Sequence, residues 1–333
     1  MLKIRGIIRN ILTQSERKFS LDKFNQPLSA NEVPRPGGIA TFMRLPYQNT
    51  PKNLDVGILG IPIDCGTSNR PGARFGPRQI RTESSLLRPC NPSTGAEPFN
   101  YLQVADLGDV PFPLYDIQQA VHHIKKFILQ VLKEECTPLT MGGDHTITYP
   151  ILQAIKEKFG PVGLVHVDAH ADVNDTMMGC KIAHGTTFRR AVEEGLLDQR
   201  RVVQIGLRGT SYTSKDYQWS VDQGFRLVLA EECWHTSMAP LMDDIRKQMG
   251  KGPVYVSLDI DALDPCFAPG TGTPEIGGLT TIQVLEIIRG LKNVNIIGGD
   301  IVEVSPPYDP SGNTALTAAN MLFELLCVLP KSM

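Results

Sequence analysis

Short runs of unbroken apolar character recur along this chain, each followed by turn residues and then by a longer stretch of helical period. The short runs are residues 54–62, 104–106, 138–141, 162–167, 202–206, 226–229, 254–258 and 295–298. They do not alternate apolar with polar, so both faces are expected to be covered, as in a parallel sheet. Segments 116–135, 147–159, 186–195, 237–249, 280–291 and 313–328 carry apolar residues at helical spacing, and Thr280-Thr281 predicts an N-terminal cap for one of them. Repeated strand–helix units with right-handed crossovers predict the α/β class: a single domain of three layers, α/β/α, around a mostly parallel eight-stranded sheet. In such sheets ligands bind beyond the carboxyl ends of the strands.

With 333 residues, 41% of them hydrophobic, the chain can bury one large core. Its net charge of −2 argues against nucleic acid or an acidic membrane as a partner. Cys65, Cys90, Cys136, Cys180, Cys233, Cys266 and Cys327 show no CxxC spacing, and an odd number without a framework predicts reduced thiols. No apolar run approaches the roughly 18–20 residues that cross a bilayer, so a soluble protein is expected.

Residues 1–20 differ from the rest. Lys3, Arg5, Arg9, Arg17 and Lys18 stand against one acid, Glu16, while Leu2, Ile4, Ile7, Ile8, Ile11 and Leu12 include amphipathic helical spacing. That is the composition of a mitochondrial transit peptide, and the sequence around Phe19 suits cleavage there; a basic surface helix is the structural alternative. The expected division is a transit peptide over 1–19, an extended arm over 20–53 and a catalytic domain over 54–330. A mitochondrial location follows, with a cytoplasmic one as the alternative.

Three apolar runs end in acids and imidazoles: Gly142-Gly143-Asp144-His145, Asp168-Ala169-His170-Ala171-Asp172 and Asp259-Ile260-Asp261. Alternate side chains of an extended segment share a face, so Asp168, His170 and Asp172 point one way, as do Asp259 and Asp261. With His145 these make two imidazoles and four carboxylates, enough for two divalent ions with shared carboxylate bridges. A lone histidine in a glycine-rich turn, such as His145, is more often structural. Three ionisable groups on one strand face, by contrast, resist burial unless a cation compensates them, and Asp259 with Asp261 repeats the problem. Oxygen-rich ligation with no placed thiol predicts Mn2+, with Co2+, Ni2+ or Zn2+ as alternatives.

These motifs resemble those of the ureohydrolase family, which comprises arginases, agmatinases and guanidino-acid hydrolases. The resemblance runs from about Gly57 to Leu326, through GGDHT at 142–146, DAHAD at 168–172, HG at 184–185, SLDIDALDP at 257–265 and EVSP at 303–306. Segment 66–77 looks like a loop of the agmatinase branch, and the chain is most similar to animal mitochondrial agmatinase-like proteins and guanidino-acid hydrolases. The resemblance implies an arginase-like fold, a homo-oligomer (trimer or hexamer) and two Mn2+ ions. His145 and Asp172 would hold one ion, His170 and Asp261 the other, and Asp168 and Asp259 would bridge them.

The implied reaction cleaves a linear guanidino compound, agmatine or a guanidino acid such as 4-guanidinobutyrate, to urea and an amine, with arginine less favoured. Guanidinium is a resonance-stabilised cation and a poor electrophile, so hydroxide generated between two cations is the expected attacker. By resemblance His184 is the general acid/base, Glu303 binds the substrate guanidinium as a two-pronged acceptor, and Asn174 is similar to an arginase-type carboxylate contact. Asp264 is expected to shape its Asp-Pro turn or orient the metal site, and Arg189 and Arg190 to solvate a helix, with contact to a substrate carboxylate as the alternative. His166 shares strand parity with His170, so spacing leaves a ligand role open; family position puts it beside the site or in the core. A one-ion deacylase and a catalytically silent metal-binding assembly protein are the competing readings.

Overall fold

The computed structural model describes residues 24–332, so the transit-peptide reading of residues 1–19 falls outside the described residues. Eight strands form one sheet: β1 (Val56–Ile61), β2 (Val104–Asp109), β3 (Thr137–Gly142), β4 (Val162–Val167), β5 (Leu197–Leu207), β6 (Arg226–Leu229), β7 (Val254–Asp259) and β8 (Ile296–Val302). Their spatial order is β2-β1-β3-β8-β7-β4-β5-β6, and every adjacent pair is parallel. All eight apolar runs are therefore strands. β8 runs on through Gly298, Gly299 and Asp300 because β3 and β7 hydrogen-bond it on both sides.

The helices among the described residues are α1 (Gly76–Glu83), α2 (Ile117–Lys133), α3 (Thr148–Phe159), α4 (Thr187–Glu193), α5 (Gln218–Asp222), α6 (Ala230–Cys233), α7 (Ala239–Met249), α8 (Thr281–Gly290) and α9 (Asn313–Val328). Those of periodic sequence are found; α1, α5 and α6 are too short, or too glycine- and proline-marked, to show a period. α8 starts at the expected cap, where Thr280 Oγ1 accepts from Gln283 N–H at 3.2 Å and Gln283 Oε1 accepts from Thr280 N–H at 2.9 Å.

Two apolar cores flank the sheet. One packs Val56, Ile58, Val165, Val203 and Val256 against Ile80 of α1, Ile245 of α7, Ile287 of α8 and Leu322 of α9. The other packs Leu59, Ile61, Leu164, Val202 and Tyr255 against Ile124 of α2, Ile151 of α3 and Phe188 of α4. This is the three-layer α/β/α arrangement. Residues 24–53 carry no strand, yet Phe42, Met43 and Leu45 are buried in the first core, and Phe42 N–H donates to Asp106 at 2.7 Å.

The strand order decides where the chemistry goes. β3, β8, β7 and β4 are consecutive in the sheet, and they end in GGDH, EVSP, SLDID and DAHAD respectively. Motifs spread over some 160 positions of sequence thus meet at one edge of a rigid parallel sheet.

Candidate metal and substrate site

Each motif is delivered by a strand end whose backbone is tightly constrained. At Gly143 a Cβ would lie 2.0 Å from Ile63 O and 2.7 Å from Ile61 O, so only glycine lets β3 pass β1 and swing His145 inward. His145 is then fully buried in the turn before α3. Asp172 and Glu303 both adopt the left-handed region, at φ 54° and 64°. For side chains other than glycine that region costs free energy and is concentrated where function holds it.

The six expected ligands converge. His145 Nδ1 faces Asp172 Oδ2 at 3.0 Å and Asp168 and Asp259 Oδ2 at 3.2 Å each. It is buried with no properly aligned hydrogen-bond partner. His170 Nδ1 lies 3.2 Å from Asp261 Oδ2 and 3.4 Å from Asp168 Oδ1. Ligand-capable atoms of His145, His166 and Asp168, and of Asp168, His170 and Asp261, each fall within 4.8 Å of one another. Asp168 belongs to both sets, and both of its oxygens are engaged.

The electrostatics describe a pocket short of positive charge. Burial, then Asp261 and Asp168, push Asp259 well above the carboxylate range. Burial opposes charging of His145, but Asp168, Asp172 and Asp259 together hold its pKa well above the imidazole value. Burial likewise opposes His170, and Asp261 and Asp168 outweigh it. Protons are retained where a cation of higher charge would be accommodated better. Carboxylate and imidazole donors in this number fit a pair of divalent ions.

Behind the imidazoles lie groups to which sequence reasoning assigned no part. His145 Nε2 sits 2.8 Å from Ser257 Oγ, whose hydroxyl donates to Asp300 Oδ1 at 2.7 Å. Thr148 and Tyr255 hydroxyls donate to the other Asp300 oxygen, each at 2.7 Å. Asp144 anchors the facing loop by accepting Gly66 N–H at 2.7 Å; burial and the neighbouring Glu303 raise its pKa to about 6. The quoted GGDH motif was the signal for Asp144, whereas Asp300, inside an apolar strand, offered none.

His184 and Glu303 form a pair next to the cluster. His184 Nδ1 lies 3.1 Å from Glu303 Oε1, while Nε2 receives Ser68 N–H at 3.2 Å and meets Ser68 Oγ at 2.7 Å. Burial disfavours the charged ring, but the Glu303 hydrogen bond and charge lift its pKa to about 9. Glu303 Oε1 also accepts His145 N–H at 2.8 Å, and Oε2 is buried with no partner. That oxygen rests near Gly272, where a Cβ would come within 3.3 Å of it.

A cleft of about 200 Å3 opens over these groups, lined by Ser68, His170, Asp172, Asn174, His184, Tyr217 and Thr273 among others. Asn174 is exposed at its rim. Glu303 is not in the lining; it lies buried behind His184. Asp264 shapes its turn: burial opposes its charge, but the N–H groups of Cys266, Gly277 and Gly278 hold its pKa below the usual value. Arg190 corrects an expectation. It does not solvate α4 but is buried, reaching Asp175 at 2.8 Å beside the Asn174 loop, because α4 packs its inner face on that loop. Arg189 instead lies over the Trp219 ring at 4.4 Å.

Comparison with known proteins agrees with this arrangement. The guanidinobutyrase of Pseudomonas aeruginosa is 62% identical over 314 residues, 93% of this chain and 98% of that protein. A mitochondrial agmatinase of Gallus gallus is 60% identical, covering 92% of this chain and 91% of its own. The solved proclavaminate amidino hydrolase of Streptomyces clavuligerus superposes with a TM-score of 0.86 at 40% identity, over 90% of this chain and 100% of the other. Residues 54–327 match the Arginase family, and the chain belongs to it, as an amidinohydrolase of guanidino compounds.

Proposed function

We propose that this chain is a binuclear manganese amidinohydrolase acting on linear ω-guanidino acids of the 4-guanidinobutyrate kind. The observation that carries the reading is His145 Nδ1, buried, unpartnered and ringed by three carboxylates, next to the His184–Glu303 pair. His145 and Asp172 would hold one ion, His170 and Asp261 the other, with Asp168 and Asp259 shared. When bound, the ions supply water activation and Lewis-acid polarisation.

The chain's own residues do the rest. Glu303 offers its unpaired Oε2 to the planar guanidinium, and burial makes that contact stronger than it would be in water. Ser68 N–H donates to His184 Nε2, so the resting ring carries its proton at Nδ1 against Glu303 Oε1. A proton taken up at Nε2 in place of that Ser68 contact would pass to the departing amine. Protonation there avoids expelling an amide anion. The cleft is lined by His184 and so keeps that group within reach of a small substrate, with Glu303 directly behind it.

The wall of the cleft favours an anionic tail. Asn174, Thr210, Ser211 and Tyr217 supply neutral donors. Asp216, the acid on that wall outside the ligand cluster, already accepts Tyr212 N–H, Thr213 N–H and the Thr213 hydroxyl at 2.6–3.0 Å. The ammonium of agmatine would find that carboxylate engaged. The relatives are named for three different substrates, so the choice rests on the cleft.

The test is urea release by the Mn2+-loaded protein from 4-guanidinobutyrate, 3-guanidinopropionate, taurocyamine, agmatine and arginine. Preference for the acids supports the reading. Preference for agmatine or arginine overturns the substrate half of it, and no release from any compound overturns the whole. The composition of residues 1–19 and the mitochondrial naming of the Gallus relative support a mitochondrial location; import of a reporter carrying those residues tests it. A homo-oligomer, trimer or hexamer, completes the proposal by resemblance, and sedimentation equilibrium checks it.

A further inference from the structure

His166 is the one imidazole of the cluster whose role spacing left open, and its surroundings settle its proton. Gln204 stands directly across from it, on β5, in register with His166 of β4. Both side chains are fully buried. Gln204 Nε2 lies 2.7 Å from Ala171 O and 2.9 Å from His166 Nδ1. A backbone carbonyl can only accept, so the amide must present its NH2 to Ala171 O; the reverse orientation would set two oxygens face to face. The same NH2 then donates to His166 Nδ1, which has to be the bare nitrogen. The ring proton is left on Nε2, aimed at Asp168 Oδ2 at 2.7 Å. Gln204 Oε1 is buried without a partner in consequence, so the amide gives up one of its own hydrogen bonds to keep these two.

We propose that Gln204 and His166 are positioning residues that lock Asp168 for metal binding, Gln204 by fixing the His166 tautomer and His166 by donating to Asp168 Oδ2. This rests on the reading of Asp168 as a shared ligand. His166 is itself no ligand: one nitrogen is occupied by a donor and the other carries a proton. Asp168 Oδ1 is held from the opposite side by His170 N–H at 2.6 Å, so both oxygens are restrained before any ion arrives. Phe188 closes the pocket, its ring centroid 4.3 Å from that of His166. The Ala171 carbonyl belongs to the DAHAD segment, so Gln204 also ties down the backbone between His170 and Asp172. Preorganisation of this kind is reflected in metal affinity, where loss of a supporting hydrogen bond typically weakens binding about 10- to 100-fold.

Two measurements test it. In the wild-type protein labelled with 15N-histidine, long-range 1H–15N correlation is expected to show His166 neutral with its proton on Nε2. A proton on Nδ1, or an imidazolium, overturns the proposal without any variant having to fold. In equilibrium Mn2+ titrations, His166→Phe is expected to bind Mn2+ about 10- to 100-fold more weakly, and His166→Gln, which keeps an N–H donor, to recover part of that loss. Affinity unchanged in His166→Phe, or equal losses in both variants, overturns it. Asp168→Ala is the control: retained Mn2+ binding there would sink the ligand reading itself, whereas loss there with none in His166→Phe sinks only the positioning role.

Discussion

Glu303 shows how much one residue position can carry. Its backbone sits at φ 64°, one oxygen ties His145 N–H to His184, and the other is buried without a partner. An oxygen left in that state costs free energy unless a ligand uses it. Glu303→Gln should therefore keep two Mn2+ per chain while kcat/KM falls about 10- to 100-fold, as expected for a lost hydrogen bond to a charged group. Normal kcat/KM would remove Glu303 from substrate binding. His184 gives a second prediction, for metal-free protein. Its pKa is raised in the fold from the ordinary 6.5 to about 9, so the folded state binds the extra proton more tightly than the unfolded chain does. The associated stability is fully present below pH 6.5 and is lost as pH rises through about 9. Urea midpoints of the metal-free protein should fall over that window, and Glu303→Gln should flatten the decline; an unchanged slope would deny that Glu303 causes the shift.

At the scale of elements, the strands position and the helices support. α2 is amphipathic, and its Asp116 cap accepts Gln118 and Gln119 N–H at 3.0 and 3.1 Å on an exposed corner. Asp116→Ala should cost about 0.5–2 kcal/mol in denaturant unfolding and leave urea release unchanged, because α2 touches no part of the cleft. A loss of activity would mean that α2 reaches the site in some other way. The apolar runs revealed every strand because a strand covered on both faces has to be apolar throughout. Periodicity revealed α4 and the helices of ten residues or more; it failed for α1, marked by glycine and proline, and for α5 and α6, whose four or five residues are shorter than two turns. The burial of Arg190 was equally illegible. Charge alone placed it in solvent, and only the packing of α4 on the Asn174 loop turns it inward to Asp175.

The whole molecule brings four motif-bearing strands side by side, which makes the candidate metal cluster a product of the fold. Ions that bind the folded chain alone raise its stability by mass action, about 2.7 kcal/mol when free metal is 100-fold above its dissociation constant. Mn2+ should thus raise the unfolding temperature in a concentration-dependent way, EDTA should reverse the rise, and Asp168→Ala should abolish it. A shift that survives in Asp168→Ala would place the stabilising ions elsewhere.

The sequence by itself determined the fold class, the eight strands and the identity of the six ligand candidates. Apolar patterning reports burial, and clustered like charges report a need for compensation, whatever lies opposite. It could not say that β3, β8, β7 and β4 would be neighbours, since strand order depends on crossovers that no local pattern records. The roles of Asp300 and Gln204 were hidden for the same reason, and His166 was placed beside the site or in the core by resemblance alone. Asp300 receives Ser257, Thr148 and Tyr255, and Gln204 meets His166 across two strands. Those contacts exist only after the sheet has formed, because a hydrogen bond depends on which groups packing brings within about 3 Å.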